Sequence, residues 1–357
     1  MSRDPWLEKL RPASVMTSPP VSKRATRDPW LDNIKMTLVT VVVVGHVVTL
    51  VPGSDRNNQV YDFIYFWHIP AFVLVTGYLS RSFQWSPKKF WALFTTVVVP
   101  YCIFEFLMAT FRTEVGGEAL RDPLFLNPHW PMWYLAAVFL WRLATPVLVR
   151  HWLMLPASVL LSLLFGSLTA EWTWWLDLHR AVGLLPFFVL GLHLRGPDMD
   201  KLRGRVAPAV GALALVGLFL LAGHADEWIS SARWLWYADP YEELGVGFSD
   251  GAWIRFRVML IGAVGALSVI SLVPRGRSFW SDMGAASLVV YLCHGFFVRG
   301  VEFAGIDRFT SAGDWTIWPM MAGAVCVAML LATPQVADKL TWLVDPIGAV
   351  RRARDRS

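Results

Sequence analysis

The sequence predicts an all-α, polytopic integral membrane protein. Of its 357 residues, 55% are hydrophobic and 20 are Trp, whereas only 17% are charged. Soluble domains average about 25% charged residues, so this chain is depleted in charge. A membrane-spanning helix needs roughly 20 mostly apolar residues, and about ten such segments can be distinguished. They lie near residues 35–51, 60–80, 90–111, 131–149, 152–168, 180–194, 206–222, 253–273, 285–303 and 315–333.

The distribution of Lys and Arg predicts an even number of spans in the cell membrane with both termini in the cytoplasm. In this orientation the inward loops carry roughly three times as many cations as the outward loops. Residues 1–26 are expected to form a disordered basic cytoplasmic tail, residues 27–333 a membrane domain, and residues 334–357 a second basic cytoplasmic tail. The net charge of +5 follows from this topology and from contact with anionic lipid. It therefore indicates no nucleic-acid partner.

Several kinds of enzyme site are not indicated by the sequence. The three cysteines, Cys102, Cys293 and Cys326, fall in separate apolar segments and show no metal-binding spacing. The sequence contains no His-Glu-x-x-His motif, no phosphate-binding loop and no Gly-x-Ser-x-Gly nucleophile elbow. We therefore expect neither a metal site nor a disulfide.

His46, in the first apolar segment, is the strongest candidate for chemistry. Its neighbours are Val and Gly, and an ionisable residue at membrane depth usually marks a functional site. A neutral imidazole can accept a hydroxyl proton near pH 7, which predicts a general base. The structural alternative is a hydrogen bond to a neighbouring helix.

Lys35 lies eleven residues before His46 in the same segment. Eleven residues of helix span roughly 16 Å, about three turns, and return to nearly the same face. Lys35 can bind a ligand or extend its ammonium group to the lipid headgroups. Asp32 and Asn33 precede it at positions that suit a helix N-cap, and pairing of Asp32 with Lys35 is the alternative.

His68 lies in the second apolar segment, at a depth comparable to that of His46. The two imidazoles can therefore face one cavity. Pro70 follows closely and is expected to disturb the helix, as prolines often do near functional sites. We expect His68 to orient a substrate, with a structural hydrogen bond as the alternative.

Further polar residues lie within the later apolar segments. Arg142 stays charged and must find an anion or water; a structural partner such as Glu105 and an anionic ligand are both possible. His294 lies at mid-depth in the ninth segment. Arg299 and Glu302 follow it, three residues apart, and are expected to pair on one helix face.

Several short motifs resemble the acyltransferase 3 family of integral membrane acyltransferases, and within it the group related to fucose 4-O-acetylase. The order and spacing of the motifs carry the resemblance more than any one of them, and they extend from residue 27 to about residue 300. The motifs are Arg27-Asp-Pro-Trp-Leu-Asp-Asn-Ile-Lys35, Val44-Gly-His46, Phe66-Trp-His-Ile-Pro-Ala-Phe72, Thr76-Gly-Tyr78-Leu79, Pro131-Met-Trp133-Tyr-Leu135, Leu185-Pro-Phe-Phe-Val-Leu-Gly191 and Tyr291-Leu-Cys-His294.

The resemblance implies an O-acyltransferase of about ten membrane helices. The acyl donor would be acetyl-CoA or another acyl-CoA, and the acceptor a hydroxyl of a surface or exported carbohydrate or glycolipid. His46 would be the base, Lys35 and Arg142 would hold phosphates or polarise the thioester, and His68 would orient a substrate. Further substrate contacts are expected from Glu105, Trp133, Tyr78 and His294.

Lys35 departs from the family pattern, which has an Arg, then ten intervening residues, then the histidine of the first span. The positive charge is kept, but the bidentate geometry of a guanidinium is lost.

We expect one cavity through the bilayer, lined by the first four segments, where donor and acceptor meet. The alternative function is a transporter or flippase of a glycan precursor, because buried His, Arg and Glu also mark substrate paths. Inverted repeats, common in transporters, are not evident between the two halves.

Overall fold

The computed structural model describes residues 28–51, 53–305 and 313–354. All regular secondary structure in these ranges is helical, which confirms the predicted all-α class. The tail predicted for residues 1–26 lies outside the described residues.

The principal helices are numbered here in chain order. They are α1 (Pro29–Val48), α2 (Asp55–Ser80), α3 (Pro87–Glu114), α4 (Trp133–Leu148), α5 (Met154–Phe165), α6 (Leu178–Gly183), α7 (Leu185–His193), α8 (Gly196–Leu202), α9 (Ala207–Ala222), α10 (Phe248–Leu272), α11 (Phe279–Phe303), α12 (Asp314–Ala332), α13 (Pro334–Val344) and α14 (Pro346–Arg354). Short 3₁₀ turns join several of them.

The chain is a multi-pass membrane protein with six to eight candidate spans in its described part. Helices α1, α2, α3, α10, α11 and α12 are long and apolar enough to cross a bilayer. Two bent pairs raise the number to eight: α6 with the turn before it and α7, at 48°, and α8 with α9, at 70°. Helices α4 and α5 are apolar but shorter. Each of the ten predicted segments contains a helix, and ten complete spans remain a prediction.

Helix α2 lies at the centre of the bundle and packs against α1, α7 and α10. It crosses α7 at a pair of glycines, where a Cβ on Gly77 would collide with the carbonyl of Phe188 and one on Gly191 with that of Leu74. Small residues at a membrane helix crossing let two backbones approach closely. The helix runs without a break through Pro70. The crossing therefore holds α2, and His68 with it, against its neighbours.

The N-terminus of α1 differs from the prediction. The carboxylate of Asp28 caps the helix by accepting a hydrogen bond from the backbone N–H of Trp30 at 3.0 Å, and Pro29 occupies the first helical position. The N-cap prediction for Asp32 is therefore wrong, because proline starts the helix three residues earlier. Asp32 instead lies 2.6 Å from the ammonium group of Lys35, as the alternative stated.

Asn33 also has a role other than capping. Its amide group donates hydrogen bonds to the carbonyls of Pro274 at 2.7 Å and Gly276 at 3.0 Å, and its oxygen accepts one from Ser281 at 2.7 Å. These contacts join α1 to the segment between α10 and α11 and to the first turn of α11. At the C-terminus, the described part of residues 334–357 is helical, and α13 packs against α11 and α3.

Candidate active site

A cavity of about 350 Å³ lies at the C-terminal end of α1. We name it the His46 cavity. Its walls combine aromatic and aliphatic side chains, with two arginines and one glutamate among them. The lining residues are His46, Thr49, Leu50, Tyr65, Ile69, Trp130, Trp133, Arg180, Leu235, Trp236, Val298, Arg299 and Glu302.

His46 faces this cavity from within a cluster of rings. Its ring centroid lies 4.4 Å from that of Trp130, edge to face, and 5.3 Å from that of His294, nearly parallel. The ring of His68 is 6.3 Å away. The structure thus brings the two predicted histidines together and adds His294 to them. His68 and His294 are fully buried behind the cavity surface rather than part of it.

The hydrogen bonds of His68 and His294 define which nitrogen is protonated. Nδ1 of His68 lies 2.9 Å from the carbonyl of Ile64, and Nδ1 of His294 lies 2.6 Å from the carbonyl of Tyr291. Because a carbonyl only accepts, each Nδ1 carries the hydrogen, and Nε2 of the neutral ring is left as an acceptor. Both Nε2 atoms are buried and have no hydrogen-bond partner among the described residues. Each can therefore accept a hydrogen bond from a hydroxyl group.

Each of the two arginines of the His46 cavity pairs with a carboxylate and lies near a tryptophan ring. The guanidinium of Arg180 lies 4.8 Å from the ring of Trp133 and 3.1 Å from a carboxylate oxygen of Asp177. Arg299 lies 5.4 Å from the ring of Trp130. Arg299 also forms the predicted ion pair with Glu302, at 2.5 Å. Arg180 was not among the site residues predicted from the sequence.

A turn at residues 232–236, in the long connection between α9 and α10, covers the cavity. Leu235 and Trp236 belong to its lining. The carbonyl of Trp236 accepts a hydrogen bond from Arg180 at 3.2 Å, and its indole N–H donates to the hydroxyl of Tyr61 at 2.8 Å. No pattern in the sequence predicted that this connection contributes to the site.

An ion pair stiffens the same connection. Arg233 contacts the carboxylates of Asp239 at 2.7 Å and Glu243 at 3.1 Å. The hydrogen bond from Arg233 to Asp239 raises the pKa of that guanidinium above its ordinary value. The guanidinium therefore stays charged, and its contacts tie the covering turn to the residues that follow it.

Glu105 has a different partner from the one suggested by the sequence. Its carboxylate is fully buried and accepts hydrogen bonds from the backbone N–H of His129 at 3.0 Å and from Nδ1 of that residue at 2.6 Å. The suggested pairing with Arg142 is therefore wrong. Glu105 lines no described cavity; it anchors the residue immediately before Trp130.

A second cavity, of about 280 Å³, lies towards the N-terminal end of α1. We name it the Lys35 cavity. Two of its lining residues are cations and two are tyrosines. The full set is Lys35, Leu38, Phe72, Val75, Thr76, Leu79, Thr96, Val97, Tyr134, Leu135, Val138, Arg142, Ser287, Leu288 and Tyr291.

Arg142 donates from Nε to the hydroxyl of Ser80 at 3.3 Å. Among the described residues no carboxylate lies within ion-pair distance of it. The two cations predicted to act together, Lys35 and Arg142, thus line one cavity. Tyr78 lines none of the described cavities, and the guanidinium of Arg81 lies 3.8 Å from its ring centroid.

The expected single cavity through the bilayer is replaced by two separate ones. Aromatic rings form the wall of the Lys35 cavity on the side of His294: the centroids of Phe72 and Tyr134 are 5.0 Å apart, and those of Tyr134 and Tyr291 are 5.4 Å apart. The ring of Tyr291 lies 5.9 Å from that of His294. The hydroxyl of Tyr134 is hydrogen-bonded to Thr76. These contacts close the path because large rings from α2, α4 and α11 meet there.

The described residues contain no group of three or more His, Cys, Asp or Glu side chains placed to hold a metal ion. All three cysteines are free.

Comparison with known proteins agrees with the resemblance seen in the motifs. A family model described as an acyltransferase domain matches residues 28–334. The chain is also 22% identical over 365 residues to nodulation protein NolL of Sinorhizobium fredii (strain NBRC 101917 / NGR234), with 91% of each chain covered. No solved structure matches the chain. Because the family model covers most of the described chain, this membrane protein belongs to the acyltransferase 3 family and is a transferase of acyl groups.

Proposed function

We propose that the protein is a membrane O-acyltransferase that moves an acetyl group from acetyl-CoA to a hydroxyl of a surface or exported carbohydrate or glycolipid. The proposal rests on the difference between the two ends of α1, which face different cavities. One end presents His46 to an aromatic cavity, and the other presents Lys35 to a cavity with a second cation. A base and an anion-binding site are the two features that acyl transfer from a coenzyme A thioester needs.

The Lys35 cavity suits the donor. Lys35 and Arg142 supply positive charge for the phosphates or for the thioester carbonyl, and the remaining lining is mostly apolar. Arginine and lysine are the usual phosphate-binding side chains, arginine through its planar fork and lysine as a point charge. By the predicted topology this cavity opens towards the cytoplasm, where acetyl-CoA is made.

The His46 cavity suits the acceptor. Trp130, Trp133 and Trp236 offer rings on which a sugar can pack, and the arginines are already neutralised by carboxylates. Such a cavity favours a polar ligand that is rich in hydroxyl groups. By the same topology it opens on the outer side, where surface glycans are modified.

The reaction follows from these placements. His46 removes the proton from the acceptor hydroxyl as the oxygen attacks the thioester carbonyl carbon, and the C–S bond then breaks. The departing thiolate takes the proton from His46, so that protons balance over one turnover. The Nε2 atoms of His68 and His294 would orient the acceptor by accepting hydrogen bonds from its hydroxyl groups. This requires that they become accessible from the His46 cavity, because both rings are buried behind its surface. For the substrates to meet, the thioester end of the donor must pass Tyr134 and Tyr291.

The test is transfer of label in membranes. Membranes containing the protein are supplied with acetyl-CoA labelled in the acetyl group and with a glycan extract, and products are identified by mass spectrometry. Wild-type protein should fix label on the glycan, and His46→Ala should not. His224→Ala removes an exposed histidine from a loop and serves as the matched control. Normal transfer by a His46→Ala protein would exclude His46 as the base.

Transport of a glycan precursor is the second candidate, favoured by the presence of separate cavities towards the two ends of one helix. The same membranes distinguish the two functions. A transporter would move unmodified glycan across the bilayer without acetyl-CoA, and no label would become covalently bound.

A further inference from the structure

A third cavity, of about 200 Å³, adjoins the Lys35 cavity. We name it the Lys89 cavity. It shares three lining residues, Leu79, Thr96 and Arg142, with its neighbour. Its other lining residues are Ser80, Ser82, Phe83, Lys89, Ala92 and Leu93. Arg142 therefore stands between two adjoining spaces.

The charges around these two spaces have one sign. Lys35 and Arg142 line the first, and Lys89 and Arg142 line the second. None of the described residues that line either space is Asp or Glu. Lys35 is paired with Asp32, but neither Lys89 nor Arg142 has a carboxylate within ion-pair distance in the described part of the chain. Unbalanced cations beside a cavity favour an anionic ligand.

The backbone of α3 is irregular beside both cavities. Residues Phe94–Val98 form a π-helical turn inside the helix. Thr96 and Val97, both in this turn, line the Lys35 cavity, and Thr96 also lines the Lys89 cavity. Single π-turns within α-helices occur frequently at functional sites. The irregular turn is thus a second observation, separate from the charges, that points to the same space.

Size agrees with a ligand that occupies both cavities. Small-molecule sites usually enclose roughly 300–1,000 Å³. Each of the two spaces, about 280 Å³ and about 200 Å³, is by itself below this range, whereas together they reach it. An elongated ligand with an apolar arm and a charged end fits better than a compact one.

We propose that the Lys89 cavity binds the phosphate groups at the nucleotide end of the acyl donor, with Lys89 and Arg142 as the phosphate-binding residues. This inference rests on the proposed function, which places acetyl-CoA in the Lys35 cavity. Lys89 is exposed at the first turn of α3. Its ammonium group is therefore accessible to an anion from solvent. The apolar arm of the donor then extends from Arg142 into the Lys35 cavity.

Lys88 provides a matched control. It precedes Lys89 on the same exposed turn, carries the same charge and lines none of the described cavities. A contribution from general surface charge would be lost equally from Lys88→Ala and Lys89→Ala. A specific contact would be lost only from Lys89→Ala.

The experiment measures binding of radiolabelled CoA to the purified full-length protein by equilibrium dialysis. Lys89→Ala should raise the Kd for CoA about tenfold, which corresponds to about 1.4 kcal/mol. Lys89→Arg should keep the Kd within about twofold of wild type because arginine also binds phosphate. Lys88→Ala should leave it unchanged. The slope of log Kd against log salt concentration should become shallower in Lys89→Ala alone.

Other outcomes separate this inference from the proposed function. If wild-type protein binds CoA and transfers acetyl groups but Lys89→Ala binds CoA with unchanged Kd, the phosphate site is overturned and the enzyme assignment stands. Equal losses in Lys88→Ala and Lys89→Ala overturn it in the same way. If wild-type protein does not bind CoA, the donor assignment itself is overturned and this inference with it.

Discussion

The two cavities along α1 differ in how their charges are balanced. In the His46 cavity each arginine has a carboxylate partner and lies over a tryptophan ring. In the Lys35 cavity, Lys35 is paired with Asp32, but among the described residues Arg142 contacts only the hydroxyl of Ser80, and no acidic residue is among the described lining residues. The first cavity therefore favours a polar, uncharged ligand, and the second favours an anion. In the proposed function, one helix would serve two different ligands because its ends contact different neighbours.

The largest expected effect is that of His46→Ala, which should remove activity without removing donor binding. General base catalysis contributes about 10² to 10⁴ in rate, so kcat should fall by that factor. The Kd for CoA, measured by equilibrium dialysis, should stay within about twofold because the Lys35 cavity is untouched. A parallel loss of CoA binding would contradict the division of roles between the two cavities.

Arg142→Gln should show the opposite pattern: weaker binding of CoA with little change in kcat. Loss of a charge-assisted phosphate contact of about 1.5–3 kcal/mol raises the Kd for CoA roughly ten- to a hundredfold. At saturating acetyl-CoA, kcat should change much less than in His46→Ala. Arg150→Ala, at an exposed position after the same helix, is the control and should bind CoA normally. A large fall in kcat at saturating donor would place Arg142 in the chemical step instead.

Glu105→Gln should affect the His46 cavity alone. The buried carboxylate accepts two hydrogen bonds from His129, and a glutamine oxygen can replace only part of this interaction. A mispaired buried polar group costs about 1–3 kcal/mol, so Tm should fall. Because His129 precedes Trp130, we also expect a higher KM for the acceptor and an unchanged Kd for CoA. A change in CoA binding with a normal acceptor KM would argue against this coupling.

Trp236→Ala should have the smallest effect. The indole belongs to the turn that covers the His46 cavity and bonds to Tyr61. Aromatic contacts of this kind contribute about 0.5–1.5 kcal/mol, so the KM for the acceptor should rise roughly two- to tenfold. Trp85→Ala, an exposed tryptophan that lines none of the described cavities, is the control. Equal effects of the two substitutions would indicate a general loss of stability rather than acceptor contact.

Part of the site could be predicted because it is encoded within one helix. The depth of His46 and its separation from Lys35 follow from residue spacing in α1, and the depth of His68 follows from α2. The pairing of Arg299 with Glu302 is likewise local, three residues apart on one helix. The helix start was mispredicted even though it is local, because Asp28 and Pro29 formed a better N-cap than Asp32.

By itself, the sequence determined the all-α membrane class, the position of the apolar helices and the family, because hydropathy and motif order are properties of continuous stretches of chain. Only the tertiary structure decided which distant polar groups meet. It paired Glu105 with His129, placed His294 beside His46, and separated the two cavities with rings from three helices. The physical reason is that buried polar groups bind whichever partner helix packing brings within hydrogen-bond distance. Spacing along one chain does not specify how helices rotate and cross.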